Sequence, residues 1–224
     1  MGDNNLVATI IQTVAIYALP VLFAITLHEA AHGYVARHFG DLTAHAQGRI
    51  SLNPLRHIDP VGTILVPLVI LVLSTKLVGG GLLFGWAKPV PVNYSALRNP
   101  RKHMALVAAA GPLANLLMAL IWVALLKLST LMAATTLSEP LALMSQAGIL
   151  VNLIFMFLNL LPILPLDGGR IVATLLPRRA AWQYSRLEPW GVPLLILLLL
   201  TNVLSFVLEP LVGASDALIR ALVF

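Results

Sequence analysis

Residues 6–36 read LVATIIQTVAIYALPVLFAITLHEAAHGYVA, an apolar run that carries His28, Glu29 and His32 near its end. About 20 apolar residues span a bilayer as a helix, so this stretch reads as a membrane helix. Ionisable side chains at membrane depth are costly and mark function by default. At about 100° per residue, His28 and His32 lie on one face a turn apart, so both imidazoles reach one ion. Glu29 stands beside them, where the His-Glu-x-x-His pattern of zinc hydrolases places its general base. The pattern implies metal-dependent hydrolysis, and its setting puts the chemistry within the membrane.

Composition agrees with that setting. Of 224 residues, 59% are hydrophobic and 10% charged, and mean hydropathy is +0.91. A soluble domain needs far more polar surface. The expectation is one membrane-embedded domain over residues 1–224, with its core at about 20–175 and no separate soluble domain. The net charge of +5 comes from basic residues clustered beside apolar segments. That is the positive-inside pattern of membrane loops and not a nucleic-acid footprint. The absence of cysteine excludes thiolate ligands, disulfides and a cysteine nucleophile. Asp3, Asn4 and Asn5 stand where a cleaved signal would carry basic residues.

Further along, Thr43–Leu52 alternates small or apolar with polar residues, consistent with a short extended segment near 43–52. The apolar stretch at about 60–80 holds Pro67 and Lys76 and ends in Gly79-Gly80-Gly81, so a re-entrant or interfacial hairpin is expected there. Phe84–Asn93 has two prolines and reads as a second extended segment near 84–93. Membrane helices are expected at about 103–128 and 140–161 and over Trp190–Leu208, with a polar connector over Pro177–Glu188. The fold expected is therefore an all-α polytopic membrane protein of four transmembrane helices plus the hairpin. Trp86, Trp182 and Trp190 flank apolar segments as interfacial anchors, and His38, His45, His57 and His103 fall in loops or at helix ends.

A catalytic zinc site takes three protein ligands and leaves a position open. Asp167 is the strongest third candidate. It is the sole carboxylate between Glu139 and Glu188, it follows an apolar run, and Gly168-Gly169 lets the backbone turn beside it. Pro162 and Pro165 interrupt the helix before it, which membranes tolerate only where backbone is buried in protein or lines a cavity. For these four residues the plain alternatives are a chance motif, a polar packing patch and a juxtamembrane turn.

His28-Glu29-Ala30-Ala31-His32 followed by Asn159-x-x-Pro162-x-x-Pro165-x-Asp167-Gly168 resembles the site-2 protease family of intramembrane zinc metalloproteases. Gly111-Pro112-Leu113-Ala114-Asn115 is similar to that family's middle core helix. The resemblance implies that His28, His32 and Asp167 bind zinc, that Glu29 is the catalytic base, and that transmembrane proteins are cleaved within or near the bilayer. Many relatives carry a PDZ or CBS domain; this chain has space for neither and resembles a minimal member.

Asn115 and Asn159 suit substrate or second-shell hydrogen bonding, although asparagines between membrane helices also serve packing. Gly85–Asn93 suits pairing with an unwound substrate, or is simply a connector. The expected partners are transmembrane substrates and the lipid bilayer, with no nucleic acid; a regulatory membrane protein or a homo-oligomer stays open. The alternative class is a non-proteolytic membrane scaffold of the same fold. For His28, His32 and Asp167 to meet, the first and 140–161 helices must run parallel, so the hairpin must not cross. Arg49, Arg56, Lys88, Arg98, Arg101, Lys102, Arg178, Arg179 and Arg186 then share one face. The positive-inside rule makes that face cytoplasmic, in a multi-pass cell-membrane protein with its active site nearer the cytosol.

Overall fold

The computed structural model describes residues 2–66, 68–69 and 88–223. Its helices are α1 (Gly2–His38), α2 (Thr43–Ala46), α3 (Pro100–Leu131), α4 (Ser138–Leu160), α5 (Asp167–Leu175), α6 (Arg178–Ser185), α7 (Glu188–Leu200) and α8 (Val203–Val223). Single helical turns sit at Pro54–Arg56, Pro60–Leu65 and Tyr94–Ala96. Three of these helices, α1, α3 and α4, are long and apolar enough to cross a membrane.

These three make the frame. His32 of α1 bonds the Val107 carbonyl of α3, while Ala24, two turns earlier, receives Asn115, two turns later. Numbers fall along one helix as they rise along the other, so α1 and α3 are antiparallel. The Asn115–Asn152 and Ser129–Ser138 bonds set α3 antiparallel to α4 in the same way. Thus α1 and α4 run parallel, as a site shared between them requires. The main core lies between α3 and α4, where Met118, Trp122, Val123 and Leu126 pack on Ile149, Leu153 and Met156, joined by Val212 and Ile219 of α8. Outward faces expose Ile11, Leu113, Leu117, Leu197 and Phe206, which suits contact with lipid tails. Pro20 and Pro112 sit inside α1 and α3, and both are buried. The backbone groups that each ring leaves unpaired therefore face protein, not hydrocarbon.

At its end α1 turns through Gly40 at φ +108°, and the Asp41 amide bonds the Ala36 carbonyl at 3.0 Å. Buried Asp41 then accepts from the Thr43 amide at 2.9 Å and the Asn93 amide at 2.7 Å. The Arg98 amide reaches the Phe39 carbonyl at 2.9 Å. The segment from Asp41 to Asn99 therefore leaves and returns at one end of the bundle.

Several expectations need correction. Among the described residues there is no strand. In the segment expected to be extended near 43–52, Asp41 caps the Thr43 amide and starts the turn of α2, and Gly48 at φ +61° bends the chain away. In the second segment, near 84–93, residues 88–93 form no strand ladder. Pro89 and Pro91 offer no donor, and the Val90 amide goes to a side chain, Glu29. Residues 84–87 lie outside the described residues, as does most of the hairpin expected at about 60–80.

The fourth transmembrane helix, expected over Trp190–Leu208, is broken. Thr201 and Asn202, the latter at φ 58°, separate α7 from α8 with an 80° bend. At about 1.5 Å per residue α7 alone falls short of the ~30 Å hydrocarbon core. The connector over Pro177–Glu188 contains α6, with Arg178, Arg179 and Trp182 exposed. His57 is buried although it lies in a loop, and its Nε2 donates to the Ser51 carbonyl at 2.8 Å.

Candidate metal centre

His28 and His32 project from one face of α1 toward α3, and Asp167 reaches them as the first residue of α5. All three are buried. The Nε2 atoms of the two histidines lie 3.1 Å apart, and each is 3.3 Å from Asp167 Oδ2.

The other ring nitrogens fix what these atoms are. His32 Nδ1 faces the Val107 carbonyl at 2.7 Å, which can only accept, so Nδ1 carries the proton. His28 Nδ1 faces Asn115 Oδ1 at 2.7 Å. The Asn115 amide nitrogen donates to the Ala24 carbonyl at 3.3 Å and to Asn152 Oδ1 at 3.0 Å, so its oxygen is the acceptor and His28 Nδ1 donates. Both Nε2 lone pairs therefore point into the space shared with Asp167.

A metal ion fits that space. Ligands in a tetrahedron about 2.0–2.1 Å from zinc stand roughly 3.3–3.4 Å from one another. The observed separations of 3.1 and 3.3 Å match to within a few tenths of an ångström. Asp167 Oδ2 is a buried oxygen without a hydrogen-bond donor among the described residues. Two imidazole lone pairs and such an oxygen repel one another unless a cation or proton lies between them. The set is two nitrogens and one oxygen, a donor set that zinc accepts.

Close backbone approach builds the centre. A Cβ at Gly111 would stand 2.5 Å from His28 Cε1 and His32 Nε2, so glycine alone lets α3 pass this near the imidazoles. At Gly168 and Gly169 it would strike the backbone of Leu160–Leu164, which folds under the start of α5 after the prolines end α4. Asp167 is pushed toward α1 by that fold.

Glu29 lies one residue from His28, half-buried, and its Oε2 accepts the Val90 amide at 2.7 Å. Asn115 is brought to the centre through His28. Asn159 is not; its amide donates to the Phe155 carbonyl of its own helix at 3.0 Å. Asn152, fully buried, extends the Asn115 chain to the Gly148 carbonyl at 2.8 Å and was missed by sequence reasoning. The signal was present, since it is a third amide in an apolar segment. Tyr94 lies beneath the Arg170 guanidinium. Burial pushes its phenol up, Arg170, 5.1 Å over the ring, opposes that, and the charges of Asp167, Glu188 and Glu29 add to the rise.

The model of peptidase family M50 matches residues 130–201, which include Asp167. The protein named "Putative zinc metalloprotease YwhC" from Bacillus subtilis (strain 168) is 38% identical over 206 residues, 90% of this chain and 88% of that one. The chain belongs to peptidase family M50. This is the site-2 protease family that the motifs resemble. "Putative zinc metalloprotease Rip2" from Mycolicibacterium smegmatis is 28% identical over 189 residues, 82% of this chain and 66% of that one. The Rip2 of Mycobacterium tuberculosis (strain H37Rv) is 33% identical over 152 residues, 66% and 52% of the two chains. No solved structure matches.

Proposed function

We propose that the protein is an intramembrane zinc endopeptidase that hydrolyses peptide bonds of transmembrane substrates within or near the bilayer. Family M50 membership makes it a peptidase, and its relatives are named as zinc metalloproteases. The observation that carries the reading further is the convergence of His28 Nε2, His32 Nε2 and Asp167 Oδ2 at 3.1–3.3 Å on helices apolar enough for a membrane.

His28, His32 and Asp167 would hold the ion, with Asn115 and the Val107 carbonyl keeping the imidazoles in register. Bound zinc supplies a Lewis acid for the scissile carbonyl and for water. Glu29 takes the proton of the attacking water and passes it to the leaving amine. The Val90 amide holds one oxygen of Glu29 and leaves the other for that proton. A helical substrate must unwind first, because its carbonyls are occupied within the helix. Residues 88–93 pass beside Glu29, where Val90 is bonded, and suit pairing with the unwound strand.

The chain leaves α1 and rejoins α3 at one end of the bundle, because Asn93 and Arg98 return to Asp41 and Phe39. Arg37, Arg49, Arg56, Lys88, Arg98, Arg101 and Lys102 then gather at the metal-bearing end of the bundle, which makes that end cytoplasmic.

The test is cleavage of a purified single-pass membrane substrate with and without a zinc chelator. Chelation should abolish cleavage and zinc should restore it. Glu29→Gln should retain one zinc per chain and lose at least about 100-fold in rate, since the amide accepts no proton. Protein that contains no zinc, or cleavage undiminished in Glu29→Gln, would overturn the reading.

A further inference from the structure

Arg101 belongs to a basic cluster that positive-inside bias alone would explain, yet its side chain is engaged. Its Nε donates to the Thr174 carbonyl at 2.7 Å and a terminal nitrogen donates to the Leu176 carbonyl. These carbonyls lie at the C-terminal end of α5, where helix carbonyls lack partners within the helix. A guanidinium there also complements the helix dipole. Asp167 stands at the other end of the same nine-residue helix, about 10 Å away at 1.5 Å per residue.

The two histidines share one helix, so their spacing follows from helix geometry. Asp167 rides on a separate helix too short to be stable alone, and its reach depends on where α5 is docked. Gly168 and Gly169 seat the near end against the Leu160–Leu164 backbone. Arg101 holds the far end. It lies at the start of α3, the helix whose Val107 carbonyl, Gly111 and Asn115 face the histidines. One rigid element therefore locates all three ligands. Arg98 repeats the device at α1, reaching the His38 and Phe39 carbonyls beyond the histidine pair.

We propose that Arg101 is a positioning residue of the metal centre, holding α5 along α3 so that Asp167 Oδ2 meets the histidines. The inference rests on the zinc reading above. Without the fork, the last turn of α5 frays and the helix shifts, and the carboxylate leaves its 3.3 Å separation from each Nε2. Arg101 is itself exposed, so removing it opens no cavity. A lysine offers a point charge to one carbonyl where arginine spans two.

The experiment measures zinc release to a chromogenic chelator from the full-length, detergent-purified, zinc-loaded protein. It also measures the visible absorption of the same protein loaded with Co2+. Arg101→Ala should release zinc about 10-fold faster or more, the scale seen when a group supporting a metal ligand is lost. Its Co2+ bands should shift and weaken as the carboxylate withdraws. Arg101→Lys should fall between, and Arg178→Ala, an exposed arginine on α6, should match the unaltered protein. Release within 2-fold of the unaltered protein with unchanged Co2+ bands in Arg101→Ala would overturn the proposal. If that variant fails to fold, unchanged release and bands in Arg101→Lys would overturn it instead. Unaltered protein that binds neither ion would sink the zinc reading itself, a result distinct from both.

Discussion

A Cβ at Gly111 would stand 2.6 Å from His28 Nε2 as well as 2.5 Å from His32 Nε2, within the space a shared ion takes. Replacement by alanine sets two effects against each other. In a helix interior alanine is favoured over glycine by about 1 kcal/mol. At the centre the added methyl must displace both imidazoles, and disturbance of this kind costs about 10–100-fold in metal affinity. Gly111→Ala should therefore lose zinc on elemental analysis while its metal-free form melts no lower than the unaltered metal-free protein. Full zinc content would show that α3 can back away. The three residues that converge, His28, His32 and Asp167, were legible because ionisable groups stand out in an apolar background. The asparagines were not. Asn115, Asn152 and Asn159 look alike in sequence, and only helix pairing decides that the first bonds His28 and the second bonds the first, while the third bonds only its own helix.

Among the elements, residues 88–93 show how a local pattern misleads. The two prolines exclude helix and suggested an extended segment, yet they also remove every second donor, and Glu29 takes the donor between them. Val92 keeps its amide, with its side chain packed toward Ala36, Leu97 and Val107. If this amide pairs with the unwound substrate, Val92→Pro removes one hydrogen bond worth about 1 kcal/mol, and cleavage should slow about 5-fold with zinc content unchanged. Equal turnover would leave the segment as a connector. Helices α1, α3 and α4 were legible from long apolar runs alone. The break in the fourth was not, because Thr201 and Asn202 are mild polar residues that a continuous helix could also carry.

At the scale of the molecule, both ends of the segment between α1 and α3 meet at Phe39 and Arg98, which assigns its two flanks to one face. The chain has no cysteine of its own, so single cysteines report sidedness cleanly. His45→Cys and Ser95→Cys, both at exposed positions, should be labelled from the same side, and Ala134→Cys, between α3 and α4, from the other. Residues 45 and 95 labelled from opposite sides would mean that the intervening segment crosses. The parallel pairing of α1 with α4 also orders the making of the protein. His32 leaves the ribosome 135 residues (167 − 32) before Asp167. At about 5–20 residues per second that is roughly 7–27 s of synthesis. During that interval two imidazoles sit in a half-built centre, and the partners that arrive first are Val107 and Asn115 of α3. The nascent chain thus presents its histidines before Asp167 exists, and under the zinc reading proposed above an ion is closed in only after α5 is made.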